Sequence, residues 1–345
     1  MDLQIALLLG QDGVVNGAIY ALLALALVLV FAVTRVIFIP QGEFVAYGAL
    51  TLAAFEAGKT PGTVWLLLGA GVLVALIDTT VALLAGARGR IRNILVWDLA
   101  LPGAIAGLVL WLDPGTLPLA AKVALSLAIV VPLGPMMYRL AYQPLAEATV
   151  LVLLIVSVAV HLALVGLGLL FFGAEGSRTT PFSEVQFALG TLTVNGQTLW
   201  VLGASGVLIV ALYLFFGRSL YGKALRATAI NRVGARLMGI STIMAGKLSF
   251  TLAAFIGALS GILIAPITTV YYDTGFLIGL KGFVAAIIAG LVSYPLAAAG
   301  AILVGLLESF SSFWASAFKE VIVFTLIIPV LVWRSLTSRH VEEEE

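Results

Sequence analysis

The sequence predicts an all-α polytopic membrane protein with about 9–11 transmembrane helices, including broken or re-entrant segments. Three observations predict it. Of 345 residues, 62% are hydrophobic and 10% charged, against roughly 45–50% and 25% in a soluble domain. Mean hydropathy is +1.16. The apolar residues also come in runs of about 20, the length that crosses a bilayer, parted by short breaks rich in Gly, Pro and charge. Spans of that length consume the whole chain, residues 1–345, as a single membrane domain. Little chain is left for a separate soluble domain, and most soluble-enzyme chemistry is excluded.

Residues 1–11 hold no Lys or Arg, so the first apolar run lacks the charged start of a cleavable signal and is expected to stay in the membrane. Long apolar stretches then follow at 13–33, 41–57, 64–84, 94–112, 119–138, 148–172, 198–217, 248–267, 276–292, 296–314 and 320–333. The second, fourth, ninth and tenth are short or interrupted by Pro or Gly. They read as candidate re-entrant half-helices, admissible where their free backbone groups are buried in protein. The complete lack of cysteine excludes structural disulfides, thiolate metal ligands and cysteine nucleophiles.

Net charge is +1, but Glu342 to Glu345 close an acidic tail at 340–345, and the residues before those four carry +5 once their charges are removed. Lys and Arg concentrate in cytoplasmic loops. With the basic loop 218–247 placed inside, strict alternation of spans puts Lys59, Lys122, Arg178 and Lys319 outside. Every other Lys and Arg falls inside, except Lys281, which lies within a span. The N-terminus is then outside and the C-terminus inside.

The basic loop itself, RSLYGKALRATAINRVGARLMGISTIMAGK, places Ala224, Leu225, Ala229, Val233, Leu237 and Met238 at about helical spacing with Arg226, Arg232 and Arg236 between them. That is a short amphipathic helix for a membrane surface or for a partner's groove. A phosphate-cradling loop is absent from it: Gly239 and Gly246 enclose six residues and Leu248 follows Lys247. Any ATPase that drives transport is therefore another polypeptide, and no cofactor is expected in this chain. The loop at 173–197 is the one sizeable external segment; it reads first as a solvated loop, and it is able to present Glu175, Arg178 and Glu184 to a soluble partner.

A charge inside the membrane costs about 2.5–3.5 kcal/mol on insertion scales, so each one asks for a partner or a path. Glu43 follows Pro40-Gln41-Gly42, where proline interrupts an apolar run and a new helix begins. An acid in a first helical turn is favoured by the helix dipole, and a broken helix there equally offers polar groups to a solute path. Lys281 and Glu308 are expected to pair with each other. Asp78 and Asp98 flank the Arg88–Arg92 cluster and are expected beside arginine. His161 has no carboxylate or second histidine at helical spacing, which favours a packing role over a metal site or proton relay.

Three stretches, taken together in order, resemble the permease subunits of branched-chain amino-acid ABC importers of the LivH type. The first is Asn16-Gly17-Ala18-Ile19-Tyr20-Ala21-Leu22 leading to Gln41-Gly42-Glu43-Phe44. The second is Tyr138 to Leu145 with Glu175-Gly176-Ser177-Arg178. The third and most specific is GKALRATAINRVGARLMGI, Gly222 to Ile240, followed by Phe276 to Phe283 and Pro295 to Glu308. Gln41 stands where the family usually has His. Residues 64–135 are longer than the family's corresponding segment, as if by two extra helices.

The resemblance implies that Arg226, Asn231, Arg232, Arg236 and Gly239 couple to an ATPase, and that Asn16, Tyr20, Gln41, Gly42, Glu43, Lys281 and Glu308 belong to the translocation path. It also implies a bacterial inner-membrane location, a second permease subunit (LivM type), two cytoplasmic ATP-binding subunits (LivG and LivF type) and a periplasmic substrate-binding protein. The expected partners are protein and the lipid bilayer, with no nucleic acid. The competing reading is an ion-gradient-driven secondary transporter using Glu43, Lys281 and Glu308.

Overall fold

Backbone N–H and C=O groups in hydrocarbon must be bonded within the protein, and the computed structural model meets that demand almost wholly with helices. The structure describes residues 2–189, 192–291 and 293–337. The acidic tail at 340–345 lies outside the described residues. In chain order the helices are α1 (Leu3–Thr34), α2 (Gln41–Glu56), α3 (Thr63–Leu84), α4 (Ile91–Trp111), α5 (Leu119–Leu145) and α6 (Val150–Phe172). A hairpin of β1 (Gln186–Leu189) and β2 (Leu192–Asn195) intervenes. There follow α7 (Gly196–Arg218), α8 (Leu220–Ile230), α9 (Arg232–Leu237), α10 (Thr242–Ile264), α11 (Thr274–Ile288), α12 (Tyr294–Trp314) and α13 (Ser316–Trp333). Among the described residues, nine of these are long and apolar enough to cross a membrane: α1, α3 to α7, α10, α12 and α13.

The second and ninth expected spans are the short ones. α2 has 16 residues and α11 has 15, fewer than the about 20 that a crossing takes. Each is preceded by non-helical chain, at 35–40 and 265–273. The fourth and tenth are full-length helices, contrary to expectation, because proline is accommodated in both. Pro295 sits in the first turn of α12, where its missing N–H costs no helical bond. Pro102 follows a π-helical turn, Leu95–Ala100, that widens α4 just before it.

The pairs α1–α2 and α10–α11 have the same plan: a long helix, a non-helical return, then a short helix. α1 and α10 pack side by side, α2 lies against α10, and α11 lies against α1. The two short helices start against each other. A Cβ on Gly42 would strike the carbonyl oxygen of Gly275 and crowd Gly279, and a Cβ on Gly275 would strike the carbonyl of Gly42. Glycine is required at this crossing because backbone meets backbone. With α12, which packs along α1, these helices form the interior. In the most apolar window of α1, 89% of residues are buried, against 6% in α13, so α13 is peripheral, as are α3, α4, α6 and α7.

The non-helical returns are satisfied by named groups. The Gln41 side-chain amide donates to the carbonyl of Ala253, midway along α10. Phe38 is packed among the rings of Phe44, Tyr142 and Phe250. In the second return, Arg178 donates to the carbonyls of Pro266 and Ile267, and Ser177 and Val270 exchange backbone bonds. Gln197 donates to the carbonyl of Leu263. Arg178 is exposed on the 173–197 loop, and its guanidinium also closes the backbone of the broken helix.

The basic loop also differs from the single helix expected. It folds as two helices, α8 and α9, because the Asn231 side chain accepts the Gly234 N–H at 2.7 Å and starts a second helix. α7 runs 23 residues from the β-hairpin to α8, about 35 Å. The hairpin and the α8–α9 unit therefore mark opposite faces.

Candidate functional site

On the hairpin face a cavity of about 1020 Å³ enters the bundle between α1, α11, α12 and the start of α13. α11 shows how the chain builds it. Thr274, Ile278 and Lys281, spaced one and two turns apart, face the cavity, while Gly275, Gly279 and Gly282 form the adjoining stripe packed on α2 and α1. One helix thus seals its small-residue face and exposes its polar face to the opening.

Lys281, 5% exposed, is the centre of the cavity's charge. Its ammonium donates to Glu308 Oε1 of α12 and, at 3.2 Å, to Glu320 Oε1 of α13. The Tyr20 hydroxyl of α1 donates to the other oxygen of Glu308, and the ammonium lies 5.8 Å from the centre of the Tyr20 ring, over its face. Four helices meet at this cluster, in which Lys281 faces two carboxylates and Lys319 lies 4.0 Å from the second of them, Glu320. Asp12, Asn16 and Ser309 extend the polar wall outward, with Ser309 donating to the carbonyl of Leu9.

The expected pairing of Lys281 with Glu308 is therefore present, and Asn16 and Tyr20 share the same cavity. Gln41, Gly42 and Glu43 do not line it. They are buried on the far side of α11, at the crossing of the short helices. Glu43 instead meets His161 at 2.9 Å, Oε1 to Nδ1, and His161 stacks on Phe276 with ring centres 4.6 Å apart. The expectation that His161 lacks a carboxylate is corrected: its partner comes from a helix 118 residues away. Glu43 also borders a separate, almost wholly apolar cavity of about 200 Å³ between α3, α5 and α6.

His161→Phe removes the hydrogen-bonding partner of a fully buried carboxyl. It is expected to destabilise the protein by about 2–3 kcal/mol, read as a lower thermal-unfolding midpoint, whereas His161→Gln, which keeps a donor, is expected to lose less.

Two residues of the cavity escaped the sequence reading. In the sequence Glu320 is only the first residue of an apolar run, and Asp12 stands just ahead of the first run at 13–33. An acid at the end of such a run is a weak signal, since the same position also suits simple solvation. Of the interfacial acids, Asp78 pairs with Arg139 of α5 rather than with the Arg88–Arg92 cluster. Asp98 makes no salt bridge among the described residues.

On the opposite face α8 is anchored and α9 is offered. Leu225 is buried against Leu29, Val33 and Ala245, while Ile230, Val233, Leu237 and Met238 are 71–86% exposed. Arg226 is exposed on α8, and Asn231 caps α9. Arg232 turns inward to donate to the carbonyl of Ala146, and Arg236 lies 3.7 Å from Glu147. Gly239, with φ of 81°, makes the turn that follows α9.

A multi-pass helical membrane protein with a charged cavity on one face and a basic, apolar-tipped helix pair on the other has the form of a transport permease. The chain belongs to the family described as the branched-chain amino acid transport system / permease component, whose model matches residues 11–331. It is 28% identical over 237 residues to the high-affinity branched-chain amino acid transport system permease protein LivH of Escherichia coli K12, covering 65% of this chain and 75% of that one. LivH of Salmonella typhimurium is 26% identical over 336 residues, covering 93% and 91%. BraD of Pseudomonas aeruginosa, another high-affinity branched-chain amino acid permease protein, is 28% identical over 230 residues, covering 65% and 75%.

Proposed function

We propose that this chain is the transmembrane permease subunit of an ATP-driven importer for branched-chain or similar hydrophobic amino acids in a bacterial inner membrane. The hairpin face is periplasmic and the α8–α9 face cytoplasmic, with the N-terminus outside and the C-terminus inside. A second permease subunit completes the pathway, two ATP-binding subunits dock on α8–α9, and a periplasmic binding protein delivers the solute at the cavity mouth. ATP is bound by those partners, and this chain carries no cofactor. The path in this chain is formed by Asn16, Tyr20, Lys281 and Glu308 with Glu320, and Gln41, Gly42 and Glu43 form the pivot of short helices beside it. The peripheral α3–α4 pair accounts for the added length at 64–135.

The observation that carries this reading is the α8–α9 unit. It leaves four large apolar side chains exposed beside Arg226 and Arg236, an exposure that a docked partner removes. A solute that binds the two access states differently, coupled to ATP-dependent closure of the docked subunits, requires no covalent chemistry here. The zwitterionic head of an amino acid also suits a wall that carries ammonium and carboxylate groups together. Charge reversal at the docking face tests the reading: Arg226→Glu with Arg236→Glu is expected to cost the co-purification of ATP-binding subunits and their solute-stimulated ATPase, with the permease still in the membrane. A wild-type chain that purifies alone and moves solute down a proton or sodium gradient would overturn it.

A further inference from the structure

A second concavity, about 400 Å³, lies on the α8–α9 face between the end of α1, the start of α6 and α9. Three arginines, Arg35, Arg232 and Arg236, line it together with one acid, Glu147. The acid does little to neutralise them: Glu147 and Arg236 are 3.7 Å apart, with side chains 85% and 58% exposed, so water screens the pair. Arg35 makes no salt bridge among the described residues. Arg232 donates from one terminal nitrogen to the carbonyl of Ala146, which holds its guanidinium at the cavity wall. An anion in the cavity is offered three guanidinium groups with one screened carboxylate against them, the arrangement that charge-assisted hydrogen bonds to phosphate favour. Thr149 and Val150, the first turn of α6, form a further wall and add the positive end of a 23-residue helix.

We propose that this cavity seats the phosphate of an anionic phospholipid. The lipid source, rather than a soluble anion, follows from what adjoins the arginines. Val150 and Leu153 line the cavity itself, and the outer face of α6 continues from it with Leu151 and Ile155, 65% and 60% exposed. A diester held at the arginines has its acyl chains laid along that apolar face, at the level where the span begins. Juxtamembrane arginines attract acidic lipids in this manner. The bound lipid would brace α9 against α1 and α6 beside the docking surface.

The test uses the full-length protein, delipidated in detergent together with any partners that co-purify, and titrated separately with phosphatidylglycerol, phosphatidylcholine and inorganic phosphate. Thermal midpoint and native mass spectrometry are the readouts. Phosphatidylglycerol alone is expected to bind and raise the midpoint. Arg35→Asn and Arg232→Gln are each expected to weaken its apparent affinity about fivefold. Arg35 has φ of 62°, a conformation asparagine tolerates, so Arg35→Asn keeps the fold. Equal responses to phosphatidylcholine would overturn the proposal, as would saturation by inorganic phosphate alone. So would arginine variants that lose ATP-binding subunits while keeping full phosphatidylglycerol affinity, since the cavity would then serve an acidic side chain of that partner.

Discussion

Glu308→Ala is expected to abolish solute uptake and to destabilise the protein by about 3–5 kcal/mol, the cost of leaving one member of a buried ion pair alone. The carboxylate accepts from two directions, Lys281 of α11 and Tyr20 of α1. Without it, a 5% exposed ammonium keeps only the partly exposed Glu320, and the Tyr20 hydroxyl has no acceptor. The triple change Tyr20→Phe, Lys281→Met, Glu308→Leu separates folding from transport. An apolar cluster of similar volume often matches or exceeds an ion pair in stability, so the triple variant is expected to recover the unfolding midpoint while uptake stays absent. Recovery of uptake as well would mean that the charges only hold the helices together and contact no solute.

The second large effect is expected at the crossing of the short helices. Gly42→Val sets branched carbon where the carbonyl of Gly275 already lies. Over-packing a core ordinarily costs about 1–3 kcal/mol. Here the obstacle is backbone that no rotamer change can clear, so little or no folded protein is expected on fluorescence-detected size exclusion. Gly69→Ala on α3 is the matched control, because nothing lies within 4 Å of its added carbon, and a normal elution peak is expected. A normal peak from Gly42→Val would refute the close approach of α2 and α11.

Much of this fold is legible in the sequence because bilayer thickness imposes one length on every span, and runs of that length are visible without any tertiary information. The short helices at Gln41 and Thr274 are legible for the same reason, as apolar stretches too brief to cross. What was hidden is which faces meet. Lipid and protein interior are equally apolar, so hydropathy does not distinguish the enclosed α1 from the peripheral α13. Pairings across long separations were hidden too. Tyr20 reaches Glu308 over 288 positions and His161 reaches Glu43 over 118, whereas Lys281 and Glu308, 27 apart on neighbouring helices, were foreseen. Arg178 shows a further limit. A charge in a polar loop reads as solvated, and only the non-helical return at Pro266 and Ile267 reveals why an arginine is needed there.

On the proposed reading, this chain moves hydrophobic amino acids only when ATP-binding subunits act on its α8–α9 face. The most direct measurement is uptake of radiolabelled leucine, isoleucine and valine into proteoliposomes holding the chain with its second permease and ATP-binding subunits. The binding protein is added outside and ATP is sealed inside. Uptake is expected to require ATP and to be lost when Arg226→Glu and Arg236→Glu are combined. ATP-independent uptake by this chain alone, driven by an imposed ion gradient, would contradict it.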